Sequence, residues 1–303
     1  MGRALHIAPV ADEANGVWKL ANLLAAEAGG VAQTGCAGME AAGDVWVHGL
    51  WLPCEWRACW RALRQGKRLV RMTHGSLSPV YLRRQGRWKK WLVGPIERYF
   101  LRKADVVVAT CAAEAAWNRA YEPRVKKIEV TDVKRFFDLS RVERVGGEGG
   151  RALHVLYLGR RHPLKGVDDL EEAVKGVERC TLRVESCVFG AEKEKVWAWC
   201  DVLALPTLSE NFGLVVAEAL ERGKRVITTD GAPAWGEELE FRVERLGLSV
   251  EEDCGLRGDE RNAGEIWSGY GGRLLYLKGY RTGGRDVRVS LLQRAMMRMA
   301  AKG

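Results

Sequence analysis

The sequence predicts an α/β protein of two domains, each a parallel sheet covered by helices, and three observations carry that reading. Short β-branched or aliphatic runs alternate with helical segments along all 303 residues, the pattern of parallel strands joined by crossover helices. Four glycines in five residues, Gly146-Gly147-Glu148-Gly149-Gly150, break the alternation near the middle, and a fresh apolar run follows at once. The length suffices for two ordinary cores. We therefore place an N-terminal domain at residues 1–145, a glycine-rich linker at 146–152, a C-terminal domain at 153–285 and a closing helix at 286–303.

The elements follow from composition and period. In the first half, β-branched and aliphatic runs predict strands over Ala4–Pro9, Val45–His48, Arg68–Thr73, Val106–Thr110 and Ile128–Val133. Apolar residues at helical spacing predict helices over Val17–Ala28 and Trp56–Gln65 and a long basic helix around Arg87–Arg102. In the second half the same criteria predict strands at Leu153–Leu158, Leu182–Glu185, Val202–Leu205, Arg225–Thr228 and Leu274–Leu277. Helices are expected at Asp168–Val177, Leu214–Glu221 and Val287–Ala301. Residues 240–272 are polar and of weak period, and support no assignment.

Composition narrows the class. With 47% hydrophobic and 29% charged residues, the chain reads as a soluble globular protein. No apolar run approaches the roughly 18–20 residues a membrane span needs. The first apolar stretch is broken by Asp12 and Glu13, so it reads as a core strand rather than a signal peptide. The 8 cysteines are scattered, with no Cys-x-x-Cys pair and no histidines at metal-ligand spacing, which points to reduced thiols in a cytoplasmic protein. The net charge of +9 is uneven: residues 1–150 hold 24 Lys and Arg against 15 Asp and Glu, whereas residues 151–303 hold 24 of each. The first half is thus expected to meet something anionic.

Four segments could carry chemistry, each at the carboxyl end of an expected strand. Leu205 leads through a polar loop with Glu210 to a helix with Glu218, and the free N–H groups at that helix start suit a phosphate or a sugar hydroxyl. Each carboxylate can accept two hydrogen bonds from a vicinal diol. Taken alone, this spacing of two glutamates is more often an accident of two solvated charges. Gly159-Arg160-Arg161-His162-Pro163-Leu164-Lys165-Gly166 follows the strand ending at Leu158, and its fork and point charge can neutralise a diphosphate. Alone, it reads more readily as a basic surface loop. Thr73-His74-Gly75-Ser76 ends a first-half strand, where a lone histidine is more often structural. Asn15-Gly16, in the first turn after a strand, tolerates positive φ and lets backbone approach a phosphate. Two such segments per half would line one cleft.

The order and wording of these segments resemble the family 4 glycosyltransferases of the GT-B fold. Gly159-Arg160…Lys165-Gly166 matches that family's phosphate loop, and Ser209-Glu210-Asn211-Phe212-Gly213…Glu218-Ala219 matches its Glu-x7-Glu donor motif. Thr228-Thr229…Ala232-Pro233, His74-Gly75 and Ala104-Asp105-Val106…Glu114 resemble further pieces, so that the similarity spans residues 4–240. The resemblance implies two facing Rossmann-like domains with an interdomain cleft, and a last helix packing back toward the first domain. It implies retaining transfer from a nucleotide-sugar donor to a hydroxyl of an acceptor glycan or glycolipid, in cell-surface polysaccharide or lipopolysaccharide biosynthesis. Arg160 and Lys165 would stabilise the leaving diphosphate, helped by backbone N–H groups of Asn211, Phe212, Gly213 and the helix opening at Leu214. Glu210 would orient the sugar, Glu218 would hold the ribose, His74 would contact the sugar, and Asn15 and Gly16 would approach the phosphate. No cofactor is implied, and the absence of an Asp-x-Asp motif suits a metal-independent site. The stretch between Val177 and Lys195 is shorter than the family's usual one, so the second domain is expected to lack an element.

Between Arg83 and Lys103, apolar residues at 88, 91, 92, 96, 99 and 100 form one helical stripe flanked by Arg and Lys. Such a stripe either packs on its own sheet or meets an anionic membrane surface. The resemblance favours the membrane, as a peripheral protein on its cytoplasmic inner face. Competing readings are a sugar-nucleotide epimerase and a non-catalytic protein bound to membrane or nucleic acid; complete donor motifs argue against nucleic acid.

Overall fold

The computed structural model describes residues 3–13, 15–86, 91–140, 152–237, 239, 265–269 and 273–301. By its internal contacts the chain divides into two compact units, Met1–Val133 and Lys134–Gly303. The division falls ahead of the glycine run, which lies outside the described residues, so Lys134–Ser140 go with the second unit rather than the first.

The first unit is a six-stranded parallel sheet of β1 (Leu5–Ile7), β2 (Val31–Gln33), β3 (Asp44–His48), β4 (Arg68–Met72), β5 (Val106–Ala109) and β6 (Ile128–Val130), in the order β2-β1-β3-β4-β5-β6. Val45, Val47, Leu69, Val70 and Val107 are fully buried, which is why these central strands read as continuous β-branched runs. The helices are α1 (Gly16–Glu27), α2 (Pro53–Arg64), α3 (Pro79–Arg84), α4 (Gly94–Lys103) and α5 (Ala112–Tyr121). Pro53 sits in the first turn of α2, where a missing N–H costs nothing, and Glu55 accepts the Leu52 N–H at 2.9 Å. Ala58, Cys59 and Ala62 form the face that α2 buries.

The long helix expected over 87–102 is not one helix. Of its described part, Trp91 and Leu92 are helical, Val93 is a turn and α4 opens afresh at Gly94-Pro95, because a proline in a helix interior clashes with the preceding turn. The apolar stripe divides with it. Phe100 and Leu101 enter the core, whereas Trp91 and Leu92 stay 78% and 55% exposed beside Ile96 and Tyr99. Trp88 lies outside the described residues.

Three polar systems cross the interior of this unit. Arg71 on β4 is completely buried and donates to the Gly49 carbonyl at 2.9 Å, the Cys59 sulfur at 2.7 Å and Glu97 at 3.3 Å. Glu97 on α4 also accepts the Trp51 N–H at 2.5 Å and the Trp56 indole at 2.7 Å. Glu114 on α5 accepts from Thr110 N and Gly75 N at 2.8 and 2.6 Å and from the Thr73 hydroxyl at 2.9 Å, clamping the ends of β4 and β5. The third is a row of imidazoles across β1, β3 and the end of β4. His6 Nδ1 lies 3.0 Å from His48 Nε2, and His48 Nδ1 lies 2.9 Å from His74 Nε2. Burial pushes His6 down to about 4 and His74 down to about 3. It also lowers His48 well below its ordinary value, helped by the charges that His74, His6 and Arg71 would present to it.

The second unit repeats the design with β7 (Leu153–Leu158), β8 (Cys180–Glu185), β9 (Val202–Leu205), β10 (Arg225–Thr229), β11 (Glu265–Gly269) and β12 (Leu274–Lys278). The order is β11-β12-β10-β9-β7-β8, parallel except for β11 at one edge. Its helices are α6 (Val167–Lys175), α7 (Gly190–Trp199), α8 (Leu214–Glu221) and α9 (Arg285–Ala301). The short stretch after Val177 supplies the edge strand β8 and leads directly into α7. The closing helix packs on α6 of its own unit. Asp169 on α6 fastens it, accepting from Arg288 at 2.6 Å and from the Tyr280 hydroxyl at 3.1 Å.

Two outcomes follow. Glu97→Ala strands the buried Arg71 charge and two N–H groups, and should cost about 3–5 kcal/mol in urea unfolding, with Glu97→Gln costing clearly less. The three histidines are neutral in the fold and take up protons at their ordinary value of about 6.5 once unfolded. Their contribution to stability should therefore be level above that pH and decline as pH falls toward 4, and His6→Phe should flatten part of the decline in urea midpoints.

Candidate functional site

In the second sheet the strand order reverses at β7, with β8 on one side and β9 on the other. Chains leaving the carboxyl ends of β7 and β9 therefore part in opposite directions and leave a crevice, the usual ligand position in open parallel sheets. The loop after β7 runs through a tight turn, Pro163–Lys165, into α6, and the loop after β9 runs from Pro206 to Gly213 into α8. Both helices start from a glycine in the left-handed region, Gly166 at φ 65° and Gly213 at φ 70°. At Gly166 there is a second constraint, since a Cβ there would lie 2.0 Å from the Pro206 carbonyl oxygen.

The loops are stitched through threonines. The Thr207 hydroxyl donates to the Leu164 carbonyl at 3.0 Å, and the Leu208 N–H donates to the same oxygen at 2.8 Å. Thr229, at the end of β10, donates to the Thr207 carbonyl, and Glu210 N–H reaches the Gly231 carbonyl at 2.8 Å. Three successive strand ends are thereby held in one framework.

That framework brings Lys165 and Glu210 together. Lys165 Nζ donates to Glu210 Oε2 at 2.5 Å, and Glu210 Oε1 accepts the Asn211 N–H at 3.1 Å. Both side chains are 22% exposed, so the pair is sheltered yet open to a ligand. Glu218 lies in the second turn of α8 and receives Lys193 Nζ from α7 at 2.5 Å. Arg160 is exposed, with its carbonyl accepting the Tyr157 hydroxyl at 2.9 Å. Burial and the neighbouring Glu210 charge hold that phenol well above its ordinary value, against the pull of Arg160. Phe212 is a core residue, 2% exposed and packed on Trp235, whose indole donates to the Phe212 carbonyl at 2.6 Å. Only its backbone can serve a ligand. Leu214 opens α8 and is half-buried. Lys193 and Tyr157 were not anticipated from sequence; the one signal for Lys193 was its place on the helix preceding β9.

In the first unit, Asn15 caps α1, its side chain accepting the Val17 N–H at 2.9 Å. The φ of −88° at Asn15 is ordinary and Gly16 has no positive φ, so this turn does not use the freedom expected of Asn-Gly. His74 has φ 50°, its Nε2 engaged by His48 and its following N–H held by Glu114. Beside α4, Leu82, Trp91, Pro95, Arg98, Arg102 and Tyr121 line an open groove of about 530 Å³. Among the described residues there is no metal-binding cluster of His, Cys, Asp or Glu, and no helix is long and apolar enough to cross a membrane.

Comparison with known proteins places this geometry. Residues 21–132 match the glycosyl transferase 4-like domain and residues 151–245 match the glycosyl transferases group 1. No curated protein matches the chain by sequence. Among solved structures it is similar to sucrose-phosphate synthase from Thermosynechococcus elongatus, with TM-score 0.58 and 15% identity over 98% of this chain and 90% of that one. It is also similar to HepE from Anabaena in complex with UDP and glucose, with TM-score 0.57 and 14% identity over 100% of this chain and 92% of that one. At such identities the structural likeness is one of fold. The two domain matches fall on the two sheets in chain order, and the chain belongs to the GT-B glycosyltransferases, an enzyme with a 4-like first domain and a group 1 second domain.

Proposed function

We propose that this glycosyltransferase is a retaining enzyme that moves a sugar from a nucleoside-diphosphate donor to a hydroxyl of a glycan or glycolipid, in cell-surface polysaccharide or lipopolysaccharide assembly. The carrying observation is the sheltered Lys165–Glu210 pair at the switch point of the second sheet. A cation beside a carboxylate, next to a helix start, matches a sugar diphosphate in both its parts. The bond from sugar C1 to the diphosphate breaks, a bond from C1 to the acceptor oxygen forms, and the hydroxyl proton leaves with the diphosphate. Arg160 and Lys165 stabilise the charge growing on that leaving group without a metal ion, assisted by the N–H groups of Asn211, Phe212 and Gly213. Glu210 orients the sugar and Glu218 the ribose, the latter sharing its carboxylate with Lys193. By the family resemblance, His74 is assigned to the sugar and Asn15 and Gly16 to the phosphate. The UDP-glucose bound by HepE supports a donor of this class.

The acceptor side rests on the exposed Trp91, Leu92, Ile96 and Tyr99 beside Arg98, Arg102 and Lys103. Aromatic and aliphatic groups at the level of cations suit the headgroup region of an anionic leaflet. Peripheral attachment at the cytoplasmic face would bring the enzyme to lipid-linked acceptors.

A melting-temperature screen against UDP, GDP, ADP and CMP, with and without Mg²⁺, tests the donor site. One nucleotide should stabilise the protein regardless of metal, and Lys165→Ala should abolish the shift. Glu210→Ala should lower transfer about 10²-fold or more; transfer that survives it would remove Glu210 from the mechanism. Vesicles containing anionic lipid should sediment the protein and neutral vesicles should not, with Trp91→Glu releasing it at unchanged melting temperature.

A further inference from the structure

The imidazole row has a direction, and the direction is set at its buried end. Three neutral rings carry one hydrogen each, and each of the two nitrogen–nitrogen contacts uses one. His48 must then donate in one contact and accept in the other, which leaves two arrangements for the whole row. In one, His74 donates from Nε2 to His48, His48 donates from Nε2 to His6, and the hydrogen of His6 sits on its own Nε2. That nitrogen is buried and has no hydrogen-bond partner, and His6 itself is fully buried with its ring stacked on Trp46 at 4.8 Å. An N–H buried without an acceptor is the costlier and rarer orphan. The other arrangement leaves His6 Nε2 bare and puts every hydrogen on Nδ1. His6 then donates to His48, His48 donates to His74, and His74 carries its hydrogen on the one ring nitrogen the row does not occupy. Glu114 holds the adjoining backbone, so the ring is fixed at its root as well.

We propose that His48, backed by His6, is a positioning residue that holds His74 as the Nδ1–H tautomer and so presents a fixed hydrogen-bond donor to an oxygen of the donor sugar. The inference rests on the reading of His74 as a sugar contact, and it makes His74 a donor to that sugar and not a base.

The test uses the full-length protein labelled with ¹⁵N-histidine and no ligand, with His74 identified by the signals lost in His74→Gln. Long-range ¹H–¹⁵N spectra at neutral pH should show His74 protonated at Nδ1 and bare at Nε2. His6→Phe should keep that state, because His48 Nε2 then remains a buried nitrogen best left bare. His48→Phe should let His74 populate the Nε2–H form, and His48→Gln, whose amide can donate in place of the ring, should restore the original one. A wild-type His74 with its proton on Nε2 overturns the proposal, whether or not the variants fold. With the nucleotide sugar identified by melting temperature, His48→Phe should lower kcat/KM about five- to tenfold while His48→Gln stays within about twofold of wild type. Unchanged kcat/KM in His74→Ala, which has no side-chain donor, removes the sugar contact and the proposal with it. Loss in His74→Ala with none in His48→Phe leaves the contact standing and overturns the role of the row.

Discussion

A chain that builds its sheets from parallel strands must leave every strand at the same edge and return over a face before entering the next. Both sheets obey this constraint almost completely, with β11 the one antiparallel strand among the described residues. Every loop that follows a parallel strand, and every helix start it feeds, is thereby gathered on one rim. In the second unit the rim is firm because side chains bridge it: Thr207 and Thr229 supply hydrogen bonds that no ladder provides beyond the strand ends. The lysine and glutamate that meet there come from segments 45 positions apart and are aligned by that bridging.

The first unit has a different inner character. Arg71, Glu97, Glu114, His6 and His48 are all buried within or against a sheet whose central residues are aliphatic. Each carries specific partners, as burying ionisable groups requires. The arrangement spends polar groups on geometry: Glu97 ties a helix start to the loop before α2, and Glu114 accepts the Thr73 hydroxyl and the Gly75 N–H on either side of His74. Among the described residues, positive charge outside that interior sits on α2, α3 and α4, with Arg57, Arg61, Arg84, Arg98 and Lys103 among its carriers.

Much of this was legible in the sequence. Strand positions in both halves followed from runs of Val, Leu and Ile, since strands buried on both faces need no alternation. The loops with Lys165 and Glu210 could be placed because each followed such a run. The imidazole row could not, for His6 and His48 are 42 positions apart and become neighbours only through the register that sets His6 opposite Trp46. Nothing in a single apolar strand marks its one histidine. The basic helix breaks at Gly94-Pro95 even though its apolar spacing runs across the break, so spacing alone hides the interruption. Short or exposed elements such as β2 escaped notice, as did α5 and α7, whose periodicity is weak. The division of the chain ahead of the glycine run reflects contacts made by Lys134–Ser140, such as Leu139 with Arg273, that composition does not encode.

The close approach at Gly166 bears on how such a loop can change over time. With a carbonyl oxygen from Pro206 occupying the space of a side chain, position 166 stays a glycine for as long as the backbone at 206 keeps its course. The reverse also holds, because any rerouting of the second loop opens room that only a matching change in the first can fill. The two segments are therefore one heritable unit, and variation at this rim has to arrive as paired substitutions drawn from distant stretches of sequence.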